Sequence, residues 1–200
     1  MSVLDRPFFN LSVIKAPVAE VAQAFDRYPP MRVHSSPTSF VLPEQPYTEE
    51  QGAPPLILWS PVNAPGLTVF MPHLSAGEGY VPTYAQSTFR FDVISIRSTA
   101  DDCKKDSLNE FSAYSQGALL RFVRVMSDNP GWDFYQKGDP LFFENLEKYQ
   151  LRLKRKRLQR GDVLAYAESW GAPITSAMFW RSDFPAVTFL PKGSASSASV

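Results

Sequence analysis

Apolar residues near the start of the chain first alternate with their neighbours and then recur at helical spacing. Residues 8–14 alternate, which predicts a strand with three side chains on one face: Phe9, Leu11 and Val13. Residues 18–25 carry apolar side chains at spacings of three and four, directly after Pro17, a residue favoured in the first turn of a helix. A strand followed by an amphipathic helix predicts a domain that mixes both kinds of element.

Further short runs rich in β-branched and aromatic residues predict more strands. They lie at residues 39–42, 56–59, 67–71, 89–97, 111–114, 119–126 and 131–138. Residues 115–118 predict a hairpin turn between two of these strands. From Phe143 onward we expect helices, one of them capped by Asp162 and ended by Gly171. The whole pattern predicts an α+β fold, with a mostly antiparallel, strand-rich twisted sheet and a few flanking helices.

The length and composition describe an ordinary folded domain. The chain has 200 residues, of which 44% are hydrophobic and 20% charged, and this composition excludes an intrinsically disordered protein. We expect residues 1–191 to form a single α+β domain, with a possible subdivision near 100–110, and residues 192–200 to form a disordered tail. Basic and acidic residues both number 20, so the chain lacks the basic excess typical of a dedicated nucleic-acid binder.

The N-terminal sequence and the cysteine content indicate where in the cell the protein is expected. The first residues carry no basic segment followed by an apolar run, and no apolar run approaches the ~20 residues of a spanning helix. The single cysteine, Cys103, excludes an internal disulfide and fits a reducing compartment. We therefore expect a cytoplasmic protein with no membrane partner.

Residues suited to catalysis are sparse. The two histidines, His34 and His73, lie in no catalytic signature, and the chain has neither a Gly-x-Ser-x-Gly elbow nor a Gly-x-x-x-x-Gly-Lys phosphate loop. Two histidines and one cysteine also make a poor ligand set, so we expect no metal, no cofactor and no enzyme activity. A dispersed active site stays open as the least favoured alternative, with His73, Glu78 and Tyr80 as its first candidates.

The strongest local departure from average composition is a basic run at residues 152–160. It contains six cations in nine residues: Arg152, Lys154, Arg155, Lys156, Arg157 and Arg160. The simplest interpretation is the solvated face of a helix whose buried side is formed by Leu151 and Leu158. A protein partner and a nucleic acid are the two functional alternatives, because clustered cations raise the local potential even on a neutral protein.

Aromatic residues suggest a second contact region. Neighbours on a strand face opposite sides, so a strand with Trp132 and Phe134 inward leaves Tyr135 outward beside Lys137. Three more aromatic residues lie in segments without clear core periodicity: Tyr80, Tyr84 and Trp180. Exposed Tyr, Trp and Arg are typical anchors of protein interfaces, although for each residue taken singly a place in a large sheet core is the favoured explanation.

From about Gly66 to Trp180 the chain resembles cytosolic immunity proteins of bacterial toxin–antitoxin competition systems. The segments that carry the resemblance are Gly-Leu-Thr-Val-Phe at 66–70, Gly-Trp-Asp-Phe-Tyr-Gln-Lys-Gly at 131–138, Phe-Glu-Asn-Leu-Glu-Lys-Tyr at 143–149, the basic run, and the helix at 162–171. The resemblance implies a small, non-catalytic α+β domain that occludes one protein partner, a toxin or effector.

The resemblance carries over no functional residues, so the predicted partner-binding residues come from the basic run and from the outward side of the 131–138 strand. They are Tyr135, Lys137, Arg152, Arg155, Lys156 and Arg157. A nucleic-acid-associated accessory protein that uses residues 152–160 is the alternative.

Overall fold

One antiparallel sheet forms the centre of the protein. The computed structural model describes residues 8–26, 31–41, 56–72, 90–101, 107–128 and 130–191, with the backbone alone at 26, 31–41, 56, 72 and 188–191. Its nine strands are β1 (Phe8–Ile14), β2 (Met31–Val41), β3 (Leu56–Trp59), β4 (Thr68–Pro72), β5 (Val93–Thr99), β6 (Leu108–Ser115), β7 (Ala118–Asp128), β8 (Gly131–Lys137) and β9 (Arg181–Pro191). They lie in the order β2-β9-β3-β4-β1-β5-β6-β7-β8, so β8 is an edge strand of the described sheet.

Helices flank this sheet. The described α-helices are α1 (Val18–Asp26), α2 (Leu146–Tyr149) and α3 (Arg160–Trp170), and two short 3-10 turns span Lys154–Lys156 and Ala177–Trp180. Every strand pair in the described sheet is antiparallel. The predicted α+β, strand-rich antiparallel fold is therefore confirmed. None of the helices in the described ranges is long and apolar enough to cross a bilayer.

Helices pack against both faces of the sheet. The face that we call the α3 face packs against Val163 and Ala167 of α3 and carries Phe9, Leu11, Val13, Ile94, Ile96, Phe111, Ala113, Val123 and Val125. The opposite α1 face packs against Val21 and Phe25 of α1 and carries Ile14, Leu58, Phe70 and Val93. Successive residues of a strand point to opposite faces, which is why β1 and β5 contribute to both cores.

Several predicted elements are confirmed. The alternation at 8–14 is strand β1, the helical spacing at 18–25 is helix α1, and the segment 131–138 contains strand β8. The turn between β6 and β7 places Gln116 and Gly117 at positive φ (51° and 82°), the conformation of a two-residue hairpin whose twist matches its strands.

Other elements differ from their predicted length, type or boundary. The short strand predicted at 39–42 is part of an eleven-residue strand, β2, and the helical region predicted after Phe143 ends in another strand, β9, that pairs with β2. Both strands contain proline and serine, which weaken a local strand signal, so the pairing of distant segments decides their structure. The predicted cap of α3 was also displaced, because Gln159 occupies the cap and Asp162 the third helical position of a capping box. The proposed tail at 192–200 lies outside the described residues.

Candidate partner-binding surface

A buried ion pair anchors the loop that follows β8. Arg121 of β7 is 1% exposed and the Glu144 side chain is fully buried. The Nε and Nη2 of Arg121 donate to both carboxylate oxygens of Glu144 at 2.8–3.0 Å. The backbone N–H of Leu141 donates to the same carboxylate at 2.7 Å. The pair therefore joins the sheet to the residues 138–145 by charge-assisted hydrogen bonds, which are stronger than neutral ones.

The remaining donors of Arg121 also act on this loop. Its Nη1 donates to the carbonyl of Gly138 at 2.7 Å, and its Nη2 donates to Oε1 of Gln136 at 2.8 Å. Gly138 has a φ of +83°, and a Cβ at this position would lie 2.0 Å from the carbonyl oxygen of Leu120. Only glycine fits this turn, because both the conformation and the close approach exclude a side chain.

Two tyrosines complete the buried network. The hydroxyl of Tyr149 donates to Glu144 Oε2 at 2.9 Å and lies 3.0 Å from the hydroxyl of Tyr166, which accepts from the backbone N–H of Asn145 at 3.1 Å. Burial, followed by the hydrogen bond and charge interaction with Tyr166 and then by Glu144, raises the pKa of Tyr149 far above its usual range. Tyr149 is therefore neutral and donates a hydrogen bond at all physiological pH values.

This anchored loop presents one aromatic side chain to solvent. Phe142 is 94% exposed, the highest value among the large apolar residues of the described chain. Its neighbour Phe143 points the other way and packs against Phe111 and Tyr166, with ring centroids 6.1 and 5.7 Å apart. Because buried contacts hold both sides of the loop, the exposure of Phe142 is a fixed feature of the fold.

Exposed leucines and cations follow Phe142 along the chain. Leu146, Leu151 and Leu153 are 46%, 40% and 50% exposed. Between and after them lie four exposed cations that form no ion pair within the described part of the chain: Arg152, Lys154, Arg155 and Lys156. We call Phe142, Leu146 and residues 151–156 the contact surface. It combines apolar and positively charged groups in one stretch of chain.

Four contacts hold the second half of the contact surface on the sheet. The guanidinium of Arg157 lies 5.1 Å from the ring centroid of Phe134 in β8, and its Nε donates to the carbonyl of Leu151 at 2.8 Å. The ring of Tyr149 packs against Phe134 at 5.3 Å. Leu158 is fully buried, so the chain is tied to the core just before α3 begins. The Arg157 side chain therefore holds the contact surface against the sheet and does not project from it as a contact group.

The helix expected through the basic run does not exist. Leu153 is extended, Lys154–Lys156 form a single 3-10 turn, and α3 begins only at Arg160. The expected buried seam is half wrong, because Leu158 is buried whereas Leu151 is exposed. The physical reason is that the capping box of α3 sets the helix start after most of the basic run, and Leu158 reaches the core from the bend between the 3-10 turn and α3.

The six predicted partner-binding residues do not share one face. Tyr135 and Lys137 are exposed and lie on the α1 face, opposite Arg124 and Phe122 of β7. The residues Arg152, Arg155, Lys156 and Arg157 belong to the segment that packs over Phe134, on the α3 face. The sixth cation of the run, Arg160, donates to the hydroxyl and carbonyl oxygens of Ser98 at 3.1 and 3.0 Å. Both the Tyr135–Lys137 group and the basic segment nevertheless lie at the edge strand β8.

Sequence reasoning missed Phe142, and it weighed Trp180 as an interface residue while favouring a core position. Two adjacent phenylalanines followed by glutamate give no periodic signal, and only the buried position of Glu144 decides which phenylalanine faces solvent. Trp180 is 6% exposed and its Nε1 donates to the carbonyl of Ile174 at 2.9 Å, so this candidate interface residue belongs to the core. Tyr80 and Tyr84 lie outside the described residues.

The described residues offer little for metal chemistry. Within them, no three histidine, cysteine, aspartate or glutamate side chains lie close enough to hold a metal ion. His34 is described by its backbone alone, and His73, Glu78, Tyr80 and Cys103 lie outside the described ranges. The suspected dispersed active site therefore stays a hypothesis.

Neither the protein-family models, nor the curated proteins, nor the solved structures yield a match to this chain. The resemblance to immunity proteins therefore stays an expectation.

Proposed function

We propose that this protein is a non-catalytic binding protein that holds one protein partner on its contact surface. The observation that carries the proposal is Phe142, which is 94% exposed on a loop anchored by a buried ion pair. Because the backbone of the loop is already ordered, presenting this exposed aromatic side chain costs little backbone entropy on binding, which suits an interface anchor. The resemblance to immunity proteins suggests a toxin as this partner and occlusion as the mechanism.

The composition of the contact surface indicates the chemistry of the partner. Its apolar members, Phe142, Leu146, Leu151 and Leu153, require an apolar pocket or groove. Its four cations require acidic groups around that pocket, and they would speed association through long-range attraction. We therefore propose a partner whose surface has an apolar depression with an acidic rim.

A nucleic acid is the second candidate. The observation that favours it is the density of cations without ion pairs within the described residues, four of them between positions 152 and 156. Leu151 and Leu153 alternate with these cations. Their side chains cannot form hydrogen bonds or ion pairs with a phosphate backbone, whereas a protein pocket would bury them. A phosphate-driven complex would also weaken steeply with salt.

Affinity capture with paired variants tests the proposal. The tagged full-length protein is incubated with lysate of the cells that encode it at ~0.15 M and ~0.5 M salt, and eluates are analysed by mass spectrometry and by the 260/280 nm absorbance ratio. Phe142→Ala and the double variant Arg155→Glu/Lys156→Glu alter the contact surface. Phe184→Ala and Arg181→Glu are matched controls, because both residues are exposed in β9, far from β8 in the sheet order.

The expected result is one stoichiometric protein that persists at both salts, is lost with the two contact-surface variants, and is retained by both controls. Equal retention by all four variants would contradict the proposal. A high absorbance ratio that disappears at the higher salt would favour the nucleic-acid alternative.

A further inference from the structure

The open edge of β8 is the feature that lies between the two groups of cations. We infer that β8 accepts an extended acidic segment of the protein partner as an added antiparallel or parallel strand. This inference rests on the proposed function and specifies how the partner is bound. An edge strand presents a row of unpaired backbone N–H and C=O groups, which is the template for strand addition.

The geometry of β8 suits this role. All seven of its residues pair with β7 in continuous register, from Phe122–Lys137 to Asp128–Gly131, with no bulge. Within the described chain no strand pairs with its other edge. The strand contains no proline, and Tyr135, Gln136 and Lys137 are exposed in succession. Bulges and prolines are common devices that block edge pairing, and β8 lacks both.

Cations flank this edge on both faces of the sheet. On the α3 face, the basic 3-10 turn Lys154–Lys156 packs against β8 and β7. On the α1 face, Lys137 extends from the strand, and Arg124 of β7 lies directly opposite Tyr135. An added strand points its side chains alternately to the two faces, so acidic residues at either parity would meet a cation.

Arg124 has a hydrogen-bond donor and a positive charge that are only weakly satisfied among the described residues. Its Nε is buried and has no hydrogen-bond partner among the described residues, and its Nη2 reaches Asp133 at 3.5 Å, which is a weak contact. Its guanidinium lies 5.9 Å from the ring of Phe122, and that ring packs edge-to-face against Tyr135. A carboxylate placed beside Tyr135 would give Arg124 a stronger partner than Asp133.

The acids at this edge predict the position of the bound segment. Asp128 pairs with Gly131 at the start of β8, Asp133 lies in its first half and Asp139 follows its end, whereas Tyr135, Gln136 and Lys137 form a second half without acidic residues. The acidic residues of the partner segment are therefore expected beside the second half of β8. A second copy of this chain would bring two sets of the same cations to one edge, which disfavours self-pairing.

Peptide selection followed by amide exchange tests the inference. Random twelve-residue peptides displayed on phage are selected on the full-length protein, and the strongest is synthesised and titrated into ¹⁵N-labelled protein. We expect acidic residues to be enriched in the selected peptides. We also expect exchange to slow at least tenfold at alternate amides of Gly131–Lys137, because only every second residue points its N–H to the open edge. The variant Lys137→Glu should weaken peptide binding at least tenfold, with Arg181→Glu as the control.

Three results would overturn the inference: no peptide enriched over the library, enriched peptides without acidic residues, or slowed exchange confined to residues 139–157. The last result would exclude strand addition but would not contradict the proposed function. A concentration-dependent dimer in which the β8 amides are already protected would show self-pairing instead, and would also overturn it. If the proposed function itself fails, the lysate capture shows this separately, since it depends on Phe142, Arg155 and Lys156.

Discussion

Arg121 and Glu144, 23 positions apart in the chain, form an ion pair whose side chains are 1% and 0% exposed, with Nη2 and Oε2 2.8 Å apart. A pair buried so completely is costly to form, and it is tolerated because hydrogen bonds from Leu141 and Tyr149 satisfy the remaining carboxylate positions. The consequence for function is indirect. The pair holds the loop from which Phe142 projects, so the stability of the fold and the geometry of the contact surface are coupled.

The first prediction concerns this coupling. Replacing Arg121 by Met leaves the Glu144 carboxylate buried without its cation, and we expect a loss of about 3–5 kcal/mol in the free energy of unfolding. The double variant Arg121→Met/Glu144→Met should recover much of that loss, because no uncompensated charge remains. Urea unfolding followed by circular dichroism measures both. A single variant as stable as the wild type would show that the pair does not anchor the loop.

Gly138 gives the second prediction. In Gly138→Ala the new methyl group would meet the carbonyl of Leu120 at 2.0 Å, so we expect the strand end to shift and the protein to lose at least about 2 kcal/mol of stability. Gly171→Ala is the matched control, because Gly171 also has a positive φ (110°) but has open space around its Cβ position. That control should lose about 1 kcal/mol. Equal melting temperatures for the two variants would contradict the steric argument.

The third prediction concerns alkaline pH. The pKa of Tyr149 is raised in the folded protein, so the folded state retains this proton after the unfolded chain, with its pKa of about 10, has lost it. The stabilisation is complete below pH ~10 and decreases as the pH rises above that value. We therefore expect the stability of the wild type to fall more steeply with pH in this range than that of Tyr149→Phe.

Denaturant unfolding at a series of pH values up to about 11 measures this difference. The control is Tyr135→Phe, which removes a hydroxyl from a side chain that is 47% exposed. At neutral pH, Tyr149→Phe should be less stable than the wild type by about 1 kcal/mol, because the hydrogen bond to Glu144 is lost. Parallel pH profiles for the wild type and Tyr149→Phe would contradict the assignment.

How much of this molecule could be predicted from its sequence depends on the range of the interactions. Strand β8, the β6–β7 turn and helix α1 were predicted because their periodicity, turn residues and caps are local signals. Strand β9 and the full length of β2 were not, since each is stabilised by pairing with the other across about 150 positions of the chain. The same limit applies to the site: the cations were evident as a cluster, whereas the exposure of Phe142 depends on an ion pair between distant residues.

Arg157 was predicted as a contact residue, and its observed position gives the fourth prediction. Because its guanidinium stacks on Phe134 and its Nε donates to the carbonyl of Leu151, we expect Arg157→Lys to loosen residues 151–156 without removing a charge. Amide exchange in this segment should accelerate several-fold, and partner affinity should fall. Arg155→Lys is the control, since Arg155 is exposed and keeps its charge without such contacts. Unchanged exchange in Arg157→Lys would show that stacking does not hold the segment.

The last prediction separates the roles of charge and apolar contact in the proposed complex. The exposed cations act at long range, so Arg155→Glu/Lys156→Glu should reduce mainly the association rate constant, by about tenfold at low salt and by less at ~0.5 M salt. Phe142 acts only after contact, so Phe142→Ala should raise mainly the dissociation rate constant, by about tenfold or more, with little dependence on salt. Surface plasmon resonance with the captured partner at two salt concentrations resolves both constants. Because Phe142 is almost fully exposed, its replacement should leave the melting temperature unchanged, so a slower association in Phe142→Ala, or a faster dissociation confined to the charge variant, would reverse the assigned roles.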